Sequence, residues 1–213
     1  MQRVQTIAAR LSILLLFASM SVDAAQTDRG WTEAGIKNGV TLTFRDDPQL
    51  NARQVRAVAE LPHAPDRIIA VVCDFTQILD PDTRETRVLS GEIGGGYEIY
   101  LRYAPRYLVV SARDVVLDVR PEANGCAWSE VADRVPPSSG AVRMPLLRGS
   151  WAVEPIDTSR SRVTYQIAVR PGGSIPGWMV RRGAASALPE VIGQVARCLS
   201  SPERRNGRCP KPS

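Results

Sequence analysis

The sequence predicts an α+β fold, an antiparallel sheet closed by one long C-terminal helix. Three observations carry this. Strand-period segments dominate from Thr86 to Val169, separated by the turn-rich pieces "GEIGGG", "PEANG", "PPSSG" and "DTSRS". One helical period interrupts the early strands, and a longer one closes the chain after Pro171. The order strand, helix, many strands, long helix argues against alternating βαβ units. The 213 residues suffice for one globular domain with a sizeable core, and no internal repeat or interdomain linker is visible.

The first element is a leader. Arg3 and Arg10 precede the apolar run "LSILLLFASM", and "SVDAA" offers small residues for cleavage near Ala24 or Ala25. Residues 1–25 therefore read as a secretory signal peptide, with a run too short to span a bilayer. No cysteine stands at the cleavage point, which argues against a lipoprotein anchor. The expectation is a soluble protein, periplasmic or secreted.

"GVTLTFRDD" (Gly39–Asp47) reads as a strand ending in an acidic turn. "RQVRAVAEL" (Arg53–Leu61) alternates, with Val55, Ala57, Ala59 and Leu61 on one face. The period then changes. Ile68, Val72, Phe75 and Leu79 share a helical face, Pro65 and Asp66 suit its first turn, and "PDT" ends it. Strands follow at Thr86–Leu89, Tyr97–Tyr103, Tyr107–Val110, Asp114–Val119, Ala127–Ala132, Val142–Met144, Ser150–Glu154 and Val163–Val169.

The terminal helix, Trp178 to Leu199, has an unusual wheel. Arg182, Ser186, Glu190, Gly193, Gln194 and Arg197 gather on one side. Trp178, Ala184, Ala185, Ala187, Leu188, Val191, Ile192, Val195 and Leu199 fill an arc wider than the stripe of an ordinary surface helix. Such a helix is buried on more than one flank, and its alanine-rich early turns leave space beneath. Pro189 removes one backbone donor inside it. A curved sheet capped this way encloses a cavity.

Residues 200–213 read as a basic, flexible tail. The formal charge is +5, of which the leader accounts for one and the tail for three, leaving +1 on residues 26–199. That is no footprint for a phosphate backbone, so no nucleic-acid partner is expected. In an oxidising compartment the four cysteines suggest disulfides. Cys198 and Cys209, close in sequence, are read as a staple for the tail; Cys73 and Cys126 either pair or stay reduced. Neither CxxC nor HExxH is present, so no metal site or cofactor is expected.

Several segments together resemble START lipid-transfer domains. "GVTLTFR" looks like the family's opening strand, and "VSARDVVLDVR" (Val110–Arg120) carries its Arg-Asp pair as Arg113-Asp114. "VPPSSGAVRM" (Val135–Met144) resembles its proline-rich loop and Gly-x-Val-Arg strand; "GSWAVEPI" (Gly149–Ile156) is similar to its tryptophan strand. "VTYQIAVRPGGSIPGW" (Val163–Trp178) resembles the tyrosine strand, Gly-Gly turn and Ile-Pro-x-Trp opening of the last helix. The likeness runs from about Trp31 to Leu199. It implies a helix-grip fold, a curved antiparallel sheet wrapped around the C-terminal helix with a tunnel for one lipid. It also implies that this helix and the "PPSSG" loop form a gate.

In such a tunnel Arg113 is expected to face the cargo and to need a charged partner. Glu98 is the first candidate, with Asp114 and Glu130 as alternatives in a structural ion pair. Trp151, Tyr165, Trp178, Ala184 and Leu188 are expected to line the space, and Arg181 to reach its mouth from the apolar arc. Arg182 belongs to the polar arc. The three Phe leave little material for an aromatic cage around a quaternary ammonium. His63, the single histidine, lies in "ELPHAPDR" without an orienting carboxylate, so no catalytic residue is assigned. The expected function is a monomeric carrier that holds one phospholipid, sterol or hopanoid-like molecule and touches membrane surfaces transiently. The competing readings are a helix-grip enzyme of cyclase or hydrolase type and an accessory protein with a vestigial cavity.

Overall fold

The computed structural model describes residues 30–77, 82–105, 111–201 and 209. The expected leader, the expected strand Tyr107–Val110, Leu79 and nearly all of the tail lie outside them. In chain order the elements are β1 (Thr32–Lys37), β2 (Val40–Asp47), β3 (Ala52–Leu61), α1 (Pro65–Val72), β4 (Thr83–Glu92), β5 (Gly96–Tyr103), β6 (Ala112–Glu122), β7 (Gly125–Glu130), β8 (Ala141–Arg143), β9 (Leu146–Pro155), β10 (Ser161–Arg170) and α2 (Gly177–Ser200). Nine strands form one antiparallel sheet in the order β1-β2-β3-β10-β9-β7-β6-β5-β4, and β8 joins β6 in parallel. With α2 packed against β2, β3 and α1, this is the helix-grip arrangement.

Alternation within the strands decides what the concave face carries. Val55, Ala57, Ala59 and Leu61 of β3 are buried there with Val163 of β10, Val153 and Trp151 of β9, and Leu117 of β6. From the helix side, Leu188, Ile192, Val195 and Leu199 close the core. These four belong to the wide apolar arc of the wheel.

Two elements differ from expectation. β1 was not foreseen, because "TEAGIK" has one large apolar residue, Ile36, and is broken by a bulge between Glu33 and Gly35. The helix α1 stops at Val72 instead of running to Leu79. Asp74 accepts hydrogen bonds from the Thr76 amide (3.0 Å) and hydroxyl (2.6 Å) and from the Gln77 side chain (2.6 Å), which turns the chain locally. The Tyr97 hydroxyl fixes that exit, donating to the Cys73 carbonyl (2.8 Å) and accepting from the Phe75 amide (2.9 Å). Burial raises the Tyr97 pKa well above its usual value, so the hydroxyl stays neutral.

Two disulfides cross-link the chain, one over a long span and one over a short one. Cys73, just past α1, is bonded to Cys126 of β7, and Cys198 of α2 to Cys209. The second is the pairing expected from sequence; the first was left open there.

Candidate ligand cavity

Between the concave face and α2 lies a cavity of about 640 Å³. Its sheet side is built from inward-facing positions: Leu101 and Tyr103 of β5, Arg113 and Leu117 of β6, Trp128 of β7, Leu147 and Trp151 of β9, and Tyr165, Ile167 and Val169 of β10. On its helix side Met179 and Val180 stand in the first turn, the small residues Gly183, Ser186 and Ala187 follow, and Leu188 and Val191 come next. Trp178 also lines the space while 58% of its surface meets solvent, which places it at a mouth.

Of the expected site residues, Arg113, Trp151, Tyr165, Trp178 and Leu188 therefore share one cavity. The side chains of Arg181, Arg182 and Ala184 lie outside the described residues. Glu98 does not belong to the site. In the β5–β6 register Tyr103 faces Arg113 and Glu98 faces Asp118, so Glu98 points to the convex side. There it pairs with Arg134 at 2.8 Å and accepts from the Ser90 hydroxyl.

Arg113 is buried (8% exposed), yet none of the carboxylates proposed for it is its partner. Its guanidinium donates to four backbone carbonyls: Pro171 (2.7 Å), Ser111 (2.6 Å), Gly172 (3.1 Å) and Ala112 (3.3 Å). Burial pulls its pKa down from the usual arginine value. Two of these carbonyls lie on the turn between β10 and α2, so Arg113 ties the start of the roof helix to β6. The turn needs its glycines. Gly172 and Gly173 both have positive φ (71° and 67°), and a Cβ on Gly173 would stand 3.2 Å from the Arg113 guanidinium.

The neighbouring residue does the opposite job on the convex face. Asp114 is fully buried, and its carboxylate accepts from Arg143 (2.9 Å), the Ser138 amide (2.7 Å) and the Tyr100 hydroxyl (3.4 Å). Burial alone would raise its pKa; the bonds from Arg143, Ser138 and Tyr100 outweigh that and hold it below the usual carboxylate value. Asp114 thereby anchors the "PPSSG" loop through Ser138. Glu130 is likewise occupied, paired with Arg148.

The aromatics that looked sparse in the composition are concentrated here. Trp151 stacks on Tyr165 (4.1 Å, 10°), Tyr165 meets Trp128 (5.8 Å, 34°), and Trp128 meets Phe75 edge-on (5.1 Å). Sequence reasoning missed Phe75 and Trp128. Phe75 had been assigned to a helix, and Trp128 reaches the site only through the pairing of β7 with β9.

One comparison with a solved structure bears on the fold. A STAR-related lipid transfer protein from Xanthomonas axonopodis, solved as a fragment, superposes with a TM-score of 0.68 at 27% identity. The match covers 81% of this chain and 99% of that fragment. The chain has the helix-grip fold of START domains. No protein-family model matches the chain. Two curated relatives match over shorter stretches. One is an uncharacterized protein of Pseudomonas aeruginosa, 40% identical over 75 residues, or 33% of this chain. The other is the phosphatidylcholine transfer protein of Mus musculus, 28% identical over 89 residues, or 42% of this chain. The matches span 37% and 42% of those relatives' lengths.

Proposed function

We propose that this protein is an exported carrier that binds one lipid or other apolar molecule, shields it from water and delivers it to a membrane. The cavity of about 640 Å³ under α2 carries the reading. Its size lies within the roughly 300–1,000 Å³ of small-molecule sites, and its walls are predominantly apolar. Each methylene buried in it contributes about 0.8 kcal/mol, so one apolar body supplies ample binding energy without chemistry. Arg113 receives the polar end of the cargo, because among the described residues its charge is met by neutral carbonyls. The first half of α2 serves as the gate, hinged at Gly172-Gly173. The names of the Xanthomonas and mouse proteins, both lipid transfer proteins, support the same reading.

The test is mass spectrometry of whatever co-purifies with the native protein, paired with an Ala187→Phe variant. Ala187 lines the cavity among the small residues of α2. The new ring should fill cargo space, abolish co-purification and leave the melting temperature near normal. In a close-packed core the same change would cost typically about 1–3 kcal/mol. Unchanged cargo in Ala187→Phe, or a protein that never holds an apolar molecule, refutes the carrier.

A further inference from the structure

We propose that the two disulfides act as one redox-dependent clamp on the segment Cys73–Gln77, so that cargo leaves the cavity slowly only while both are closed. The inference rests on the ligand-binding reading above. The segment follows α1, which ends at Val72, and belongs to no helix or strand. It is nevertheless part of the cavity wall, because Phe75 lines the space beside Val72.

Both bridges converge on this stretch. Cys73 is bonded to Cys126 of β7. Phe75 and Trp128, each two positions after its cysteine, meet edge-on at 5.1 Å. The covalent bond and the ring contact are thus successive rungs between the same two pieces of chain. The second bridge reaches the far end of the segment. Cys209, bonded to Cys198 of α2, packs against the core with its Sγ 3.5 Å from the Gln77 side-chain oxygen. Gln77 in turn donates to Asp74 (2.6 Å). One bridge holds the start of the segment to β7, the other steadies its end from α2, and Phe75 stands between them.

The Tyr97 hydroxyl adds two hydrogen bonds, to the Cys73 carbonyl and from the Phe75 amide, each far weaker than a covalent bond. With the bridges open, Phe75 parts from Trp128 and the apolar wall leaks. Each bridge pairs one half-buried cysteine, Cys73 or Cys209, with a buried one, Cys126 (1% exposed) or Cys198 (4%). A dithiol opens either bridge in two exchange steps. Its first thiolate attacks the sulfur of the half-buried cysteine, and the S–S bond breaks as a mixed disulfide forms. The buried cysteine leaves as a thiolate and takes up a proton. The second thiolate of the reductant then displaces the remaining cysteine, which is protonated in turn. The reductant departs as a cyclic disulfide, having given up two electrons.

The experiment loads the full oxidised protein, stripped of bound material, with the neutral apolar dye N-phenyl-1-naphthylamine and follows its release on dilution. Cys73→Ser/Cys126→Ser should release the dye about tenfold faster. Cys198→Ser/Cys209→Ser, whose bridge meets the segment by contact alone, should release it about threefold faster. Dithiothreitol added to the unmutated protein should accelerate release before the far-ultraviolet dichroism changes, and reoxidation should restore slow release. Unchanged release from folded variants, or from reduced protein whose thiol titration shows both bridges open, overturns the clamp and leaves the carrier reading intact. Dye that never binds the oxidised protein refutes both. Should a variant fail to fold, reduction of the unmutated chain decides alone.

Discussion

Arg113 shows what a single residue reveals before and after the fold is known. That it faces inward follows from the alternation of "SARDVVLDV" itself; that Glu98 faces outward does not, because parity between strands needs the register. Its real partners are carbonyls, which carry no mark in a sequence. Replacing Arg113 by Met strands four carbonyl oxygens, and chemical denaturation should report a loss on the order of 3 kcal/mol. A stability loss below about 1 kcal/mol would show that those bonds contribute little. Gly149 makes a complementary case. Ala at that position would press its methyl within 2.2 Å of the Gln166 carbonyl and into Trp128, so Gly149→Ala should lower stability by about 2 kcal/mol and weaken near-ultraviolet dichroism from the aromatic row. A fully native spectrum with unchanged melting would contradict the seating of Trp128.

At the scale of elements, β1 was legible after all, in the turn that precedes β2. Asn38 and Gly39 have φ of 53° and 76° with Lys37 paired to Val40, the two-residue hairpin that Asn-Gly specifies. The early end of α1 was not legible, since Asp74 turns the chain through Thr76 and Gln77 while the distant Tyr97 holds Cys73 and Phe75. Linkage makes the Asp114 anchor testable. Its folded pKa is depressed, so its stabilisation is complete above the unfolded value of about 3.9 and is lost as pH falls through the folded one. Urea unfolding below about pH 4 should therefore show a steep acid loss that Asp114→Asn flattens, at lower stability throughout the neutral range. An unaltered acid limb in the variant would exclude Asp114 as its source. The disulfides close loops of unequal length, with sequence separations of 53 for Cys73–Cys126 and 11 for Cys198–Cys209. Loop entropy then ranks them: removing the longer staple by paired Ser substitutions should cost about 1 kcal/mol more than removing the shorter. The reverse order would place the dominant effect in native packing.

For the whole molecule, periodicity disclosed the class of fold and the motifs pointed to the START helix-grip arrangement, while the cavity required the sheet order. Nothing in "AWSE" or "CDFT" announces that Trp128 and Phe75 meet Tyr165, because β7, β9 and β10 become neighbours only through the topology. That same order has a consequence for synthesis. β3 finds its second neighbour only in β10, about a hundred residues later, and the concave wall stays uncovered until α2 exists. A growing chain thus exposes this apolar wall until α2 has been made, and folding is dominated by distant pairings, which makes it slow. No early portion can mature as an independent unit with a closed core. A stop codon anywhere before α2 consequently removes the binding site together with the fold that frames it.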